Sequence, residues 1–270
     1  MATVLTSPKK TILLDRGTSR AKWFTRINAE SASSPTRIRD AVAHASRDTL
    51  WLSFERNLTA SVLRAVDWHS PSLGRMVLLH RPDIETLPAL SSCFREVIFS
   101  LDNGFLPPEQ LGEVLSAPNR ENLFIGGSVN RQGGTVTLWR GNLGSLTVPL
   151  SAFRPAGDGT KPDFARFSIR DYGHTVRFGE YEAAADAILY EFDQRYRRVQ
   201  SKARIAAEKS FGASLRRLRK QRGLRREDFR PLSAKTIGRI EQGKVTHVRD
   251  NTRRMIAKTL GVAADEIDTY

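Results

Sequence analysis

Ser233-Ala-Lys-Thr-Ile-Gly-Arg-Ile-Glu-Gln-Gly-Lys244 holds the residues whose types and spacing best fit a specific chemistry. Ser233 suits an N-cap, because its hydroxyl can take up a backbone N–H of the first turn, and Gly243 stands where a helix ends. Ile237 and Ile240 fall on one face, and Lys235, Thr236 and Arg239 on another. A short helix with a polar N-terminus and a cationic outer face is what the major groove of B-DNA accepts. There Arg or Lys reads guanine O6 and N7, and a small Ala touches a thymine methyl.

Other reactive side chains are scattered. His44, His69, His80, His174 and His247 show no metal-ligand spacing, and Cys93 stands alone in a helical apolar pattern. Asp67-Trp-His-Ser70 is sequence adjacency, which rarely builds a catalytic triad. Gly126-Gly127 and Gly133-Gly134 lack phosphate-loop spacing and read as turns. Trp139 reads as core or interface, with a ligand or nucleic-acid face on its hairpin as the other reading. No metal, no cofactor and no enzymatic activity are expected. An enzyme with a DNA-targeting tail would need clustered carboxylates or histidines in residues 43–195.

Charge is segregated along the chain. Residues 197–270 carry 20 Lys and Arg against 8 Asp and Glu, residues 1–42 carry 8 against 3, and residues 43–196 carry 15 against 18. A phosphate-binding surface concentrates cations in this way, because each neutralised phosphate releases counterions. A solubility patch or an anionic-membrane contact is the blander reading. The length allows about two domains with tails. The single Cys93 excludes an internal disulfide and fits a reducing, cytoplasmic compartment. No apolar run approaches the roughly 18 residues of a membrane span.

Residues 1–42 are rich in Ser, Thr, Arg and Lys and read as a disordered basic tail, with a transit peptide as the other reading. Thr11-Ile-Leu-Leu14 and Trp23-Phe24 could dock on the body. Residues 43–128 alternate strand-like runs (Thr49–Phe54, Arg75–His80, Val97–Leu101) with helical patterns (Thr59–Val66, Ile84–Phe94, Pro107–Leu115), an α+β domain. In residues 129–195, Thr135–Arg140 and Ser145–Pro149 make one hairpin, and Phe164–Ile169 and Thr175–Phe178 a second. A helix is expected from about Tyr181 through Arg195 toward Ile205, with residues 196–210 as a helical connector. Its apolar points more readily pack on the preceding sheet than form a dimer seam. The Leu-Thr-Val-Pro-Leu-Ser run at 146–151, the spacer, the second hairpin and the closing helix together resemble the small bacterial domain family DUF2442. Phe178 replaces the Trp-Pro usual in that family. The resemblance implies a small α+β fold and no established chemistry.

Residues 211–270 read as five short helices: Phe211–Gln221, Arg225 to about Arg230, Ser233–Gln242, Thr252–Leu260 and a final turn from Ala263 to Ile267. The fold class is thus α+β followed by an all-α bundle. Leu218-Arg219…Gly223-Leu224, Thr236-Ile-Gly-Arg-Ile-Glu-Gln-Gly-Lys244 and Ile256-Ala-Lys-Thr-Leu-Gly-Val262 resemble the Cro/repressor-type (XRE) helix-turn-helix domain. About three residues fewer than in that family separate Phe229 from Ser233, and Pro231 ends the second helix early.

The resemblance implies base contacts from Ala234, Lys235 and Arg239. It also implies backbone contacts from Arg226, Ser233, Thr236, Gln242, Lys244, His247 and Arg249, and a structural ion pair between Arg219 and Glu241. The partner it implies is double-stranded DNA with a two-fold operator, bound by a homodimer. Two functions are open: a bacterial sequence-specific transcriptional regulator in which residues 43–195 sense a small-molecule or protein effector or dimerise, and an antitoxin-type interaction protein whose DNA binding is autoregulatory.

Overall fold

The computed structural model describes residues 10–66, 72–101, 104–207, 210–245 and 247–269. The chain divides into two compact units, Met1–Asp193 and Gln194–Tyr270.

The first unit opens with β1 (Lys10–Leu14), α1 (Thr18–Ala21), a 3-10 turn (Lys22–Ile27), β2 (Ala29–Ser31), α2 (Pro35–Ala43), β3 (Thr49–Ser53), α3 (Arg56–Ala65), β4 (Arg75–Leu78), α4 (Leu87–Cys93) and β5 (Glu96–Phe99). The five strands are parallel in the order β2-β1-β3-β4-β5. Residues 10–42 are therefore not a disordered tail. Thr11-Ile-Leu-Leu14 supplies a central strand, and Ile12, Leu13 and Leu14 are wholly buried. A parallel strand covered on both faces reads as an unbroken apolar run, and the polar composition of the surrounding residues masked these few.

Successive side chains of each strand point to opposite faces. Ile12, Leu14, Trp51, Met76 and Leu78 join Ile38 and Val42 of α2, Leu58 and Val62 of α3, and Leu90 and Cys93 of α4 in one core. Leu13, Leu52, Val77 and Ile98, one register row, face the other way. Next comes α5 (Pro108–Ser116), which packs on the 3-10 turn through Gly112. A Cβ at Gly112 would lie 2.1 Å from the Trp23 carbonyl oxygen, so only glycine allows this approach.

β6 (Phe124–Asn130), β7 (Thr135–Arg140) and β8 (Ser145–Pro149) form one antiparallel sheet, and β9 (Phe167–Arg170), β10 (Thr175–Phe178) and β11 (Tyr181–Ala184) another. Three expectations need correction. Gly126-Gly127 lies inside β6, not in a turn; the strand passes so close to Phe105 that a Cβ on Gly126 would meet its ring at 2.4 Å. A boundary at 128/129 would cut β6, whose partner is β7. Tyr181–Ala184 is a strand, not the start of a helix. Gly179, at φ +67°, turns the chain back so that Tyr181 pairs with Phe178, and this pairing overrides the helix propensity of Glu and Ala. Helix α6 (Ala185–Phe192) then ends at Asp193, so no continuous helix joins it to α7 (Gln194–Ala207). Trp139 is buried and stacks on Phe105 at 5.3 Å.

Beyond α7, the second unit comprises α8 (Phe211–Gln221), a 3-10 turn (Arg226–Asp228), α9 (Ala234–Glu241), α10 (Asp250–Leu260) and a 3-10 turn (Glu266–Thr269). Leu215, Leu218, Phe229, Ile237, Ile240, Ile256, Leu260 and Ile267 make its core. The second helix, expected to reach about Arg230, is a single 3-10 turn. The Arg230–Pro231 peptide that follows is cis, and Pro231 offers no N–H to continue a helix. Among the described residues no helix is long and apolar enough to cross a membrane.

Candidate nucleic-acid interface

The candidate interface is built on α9. Ser233 has extended backbone, and its hydroxyl oxygen accepts from the Thr236 N–H at 3.0 Å. The Thr236 hydroxyl lies 2.8 Å from the same oxygen, so the two side chains lock the first turn together. At the other end Gly243, at φ +68°, lets its own N–H reach the Ile240 carbonyl and the Lys244 N–H reach that of Arg239, both at 3.0 Å. That geometry satisfies carbonyls a helix end would leave bare. The same device closes α8 at Gly223 and α10 at Gly261.

Between these caps α9 has two sides. Ile237, Gly238, Ile240 and Glu241 are buried. Lys235, Arg239 and Gln242, at four- and three-residue steps, share the exposed side, with Ala234 and Thr236 half-buried beside them. Lys244, His247 and Arg249 continue the exposed surface past the helix end, whereas Thr246 lies outside the described residues.

An ion-pair network fixes the angle of α9. The Arg219 Nε–H donates to Glu241 Oε1 at 2.5 Å and its Nη2 to Oε2 at 3.3 Å, while its Nη1 donates to the Leu224 carbonyl at 2.9 Å. The Arg226 Nε–H donates to Glu241 Oε2 at 2.9 Å, with its Nη2 2.8 Å from the same oxygen. Arg226, read from the sequence as a phosphate contact, thus also ties the 3-10 turn to α9. The pairing had no signal of its own in the sequence, because the resemblance supplies only the partner Arg219. The Glu241 side chain is 1% exposed. Burial opposes its ionisation, but hydrogen bonds and attraction from Arg219 and Arg226 prevail and hold its carboxyl below the usual carboxylate range. Gly212 completes the support: a Cβ there would stand 2.1 Å from the Ile240 carbonyl oxygen, so α8 meets α9 backbone to backbone.

The remaining sequence candidates stay apart. His44 pairs with Asp40 at 3.3 Å, and His80 lies in the first unit at the end of β4. Burial pushes the Cys93 thiol up, away from its reactive thiolate. Asp67-Trp-His-Ser70 lies outside the described residues. No three His, Cys, Asp or Glu among the described residues converge as a metal site would need.

Residues 210–269 match the model of a family described as a helix-turn-helix domain, so the match covers the bundle and none of the first unit. No curated protein and no solved structure matches the chain.

Proposed function

We propose that this chain, which carries a helix-turn-helix domain at residues 210–269, is a sequence-specific regulator of transcription that binds double-stranded DNA through α9. The observation that carries the reading is the pairing of an exposed Lys235–Arg239 side with a helix whose other side is locked by Arg219, Arg226 and Gly212. Base readout needs cationic forks held rigidly against the groove, and a helix anchored in this way supplies that rigidity. Ala234, Lys235 and Arg239 face base edges. Ser233, Thr236, Gln242, Lys244, His247, Arg249 and the exposed part of Arg226 lie toward phosphates. The domain is of the Cro/repressor type and acts as a homodimer on a two-fold operator. The first unit, whose residues 129–195 we read as DUF2442-like, serves as the sensing part. We read this unit as a binding part rather than a catalytic one.

The test is a genome-wide binding selection with the full chain at physiological salt, wild type against Arg239→Ala. A short palindromic site is expected, with the variant losing about 1–3 kcal/mol of preference at one base position. Sequence-blind binding that the substitution leaves unchanged would reduce the second unit to an electrostatic anchor and refute base readout by α9.

A further inference from the structure

Doubly wound parallel sheets hold ligands beyond the carboxyl ends of their strands, where the strand order reverses. In this chain the reversal lies between β1 and β3, from which the chain runs into Asp15-Arg16-Gly17 and Phe54-Glu55. Phosphate ligands at such a place sit on backbone N–H groups of the loop after the first strand. Here two of those donors are taken. The Arg16 N–H donates to Glu55 Oε1 at 2.7 Å, and the Gly17 N–H to Asp15 Oδ1 at 3.1 Å. Two carboxylates therefore stand where a phosphate would have to bind, and they repel it.

The opening lies farther along the sheet edge, at the ends of β3, β4 and β5. It is a cavity of about 240 Å³ whose walls include Arg20, Phe54, Leu79, His80, Phe105 and Leu106. Arg20 is held in place from behind. Its Nη1 donates to Asp15 Oδ1 at 2.8 Å, and the carboxylate it meets is wholly buried. Its guanidinium also lies 5.1 Å from the centre of the Phe54 ring. Asp15 is its only hydrogen-bond partner among the described residues, and the side chain is 40% exposed, so part of the fork is presented to an incoming anion.

His80 offers no comparable group. Its Nδ1–H donates to the Arg81 carbonyl at 3.0 Å, and its Nε2 lies 3.1 Å from the Thr59 hydroxyl, which itself lies 3.2 Å from the Glu55 carbonyl and 2.6 Å from Ser53 Oγ. Burial pushes its pKa below the usual value, against the Arg81 carbonyl bond and with help from the Arg56 charge. The ring is thus a neutral wall with both nitrogens occupied. Among the described residues, one rigid cationic fork, no backbone cradle and otherwise mostly apolar walls select an organic monoanion with a flat apolar body.

We propose that this cavity binds a small aromatic carboxylate, its carboxylate on Arg20 and its ring among Leu79, Phe105 and Leu106. Resting on the regulator reading above, we assign it as the effector site.

The test is calorimetric titration of the full chain, without DNA, at constant ionic strength. Sodium benzoate, benzyl alcohol and inorganic phosphate are the probes. Benzoate is expected to bind saturably at one site, with benzyl alcohol and phosphate at least about ten-fold weaker. Arg20→Lys keeps the charge on Asp15 but loses the fork, and it should weaken benzoate about ten-fold. Leu79→Trp fills the cavity without touching Asp15 and should abolish binding. No saturable benzoate binding, equal binding of phosphate, or benzoate binding unchanged in both variants would overturn the site.

The effector role is read separately, as a shift of at least about five-fold in operator affinity with saturating benzoate. An unchanged affinity would remove that role and leave the site. Since the titration contains no DNA, its failure leaves the DNA reading intact, and failure to recover an operator leaves the cavity reading intact.

Discussion

Glu241 takes hydrogen bonds from two arginines in a place nearly closed to water. Removing one partner of such a group leaves a buried charge without compensation, which costs about 3–5 kcal/mol. Arg219→Ala is expected to destabilise the second unit by that order. Arg226→Ala should cost less, about 1 kcal/mol, because the Arg226 side chain is 39% exposed and water screens it. Hydrogen exchange over residues 210–269 of the full chain reads this order, and equal effects would mean that burial does not set the strength of the network. Protonation acts in the same direction. The folded-state pKa of Glu241 is depressed, so its contribution is fully present above the unfolded value near pH 4.3 and is lost as pH falls through the folded value. Glu241→Gln should make protection of these residues lower at pH 7 and flatter between about pH 5 and pH 3 than in the wild type.

At the scale of elements, two glycines that a sequence cannot tell apart have opposite roles. Gly212 in α8 touches the backbone of α9, with only 2.1 Å between its would-be Cβ and the Ile240 oxygen. Gly238 in α9 has only the Arg226 guanidinium near it, with a would-be Cβ at an ordinary contact distance of 3.5 Å. Gly212→Ala is expected to force the helices apart at about 1–3 kcal/mol, whereas Gly238→Ala should be neutral or stabilise by up to about 1 kcal/mol through helix propensity. Paired thermal melts of the two variants decide the matter, and a Gly212→Ala chain as stable as wild type would refute the close helix contact. The caps follow from local chemistry. Ser233 and Gly243 bound α9 as their types predict, because both act through backbone groups within a few residues of themselves. Tyr181–Ala184 departs from its local helical pattern for the converse reason, since its partner strand, not its own composition, decides its state.

Across the whole molecule, the positive charge of the first 42 residues does not mark a tail, because from Lys10 onward they are built into the fold as two strands of the sheet and the helical turns that flank them. β1 has strands on both sides, β2 and β3, and its apolar residues are buried. Deleting residues 1–15 should therefore remove cooperative unfolding of the first unit, seen by circular dichroism as loss of a sharp thermal transition. A truncated chain that melts like the full one would show that β1 is dispensable. The charges of the molecule fall into two kinds. Asp15–Arg20 and Arg219–Glu241 are paired and partly buried, whereas Lys235, Arg239, Lys244 and Arg249 are exposed and available to an anionic partner.

Residue pattern and local chemistry suffice for the α+β class, the helical bundle at the end of the chain, the caps of α9, the two middle hairpins and the cationic side of the helix. These are properties of periodicity and of residues that act on their near neighbours. Long-range packing is needed for the order of the parallel sheet, the place of β1 within it, the strand at Tyr181–Ala184, the attachment of Arg226 to Glu241, and the cavity that joins Arg20 to Leu79, His80, Phe105 and Leu106. Each depends on which distant segments pack together. A strand's neighbours and a buried charge's partner are set by the free energy of the assembled core, which no local window of sequence contains.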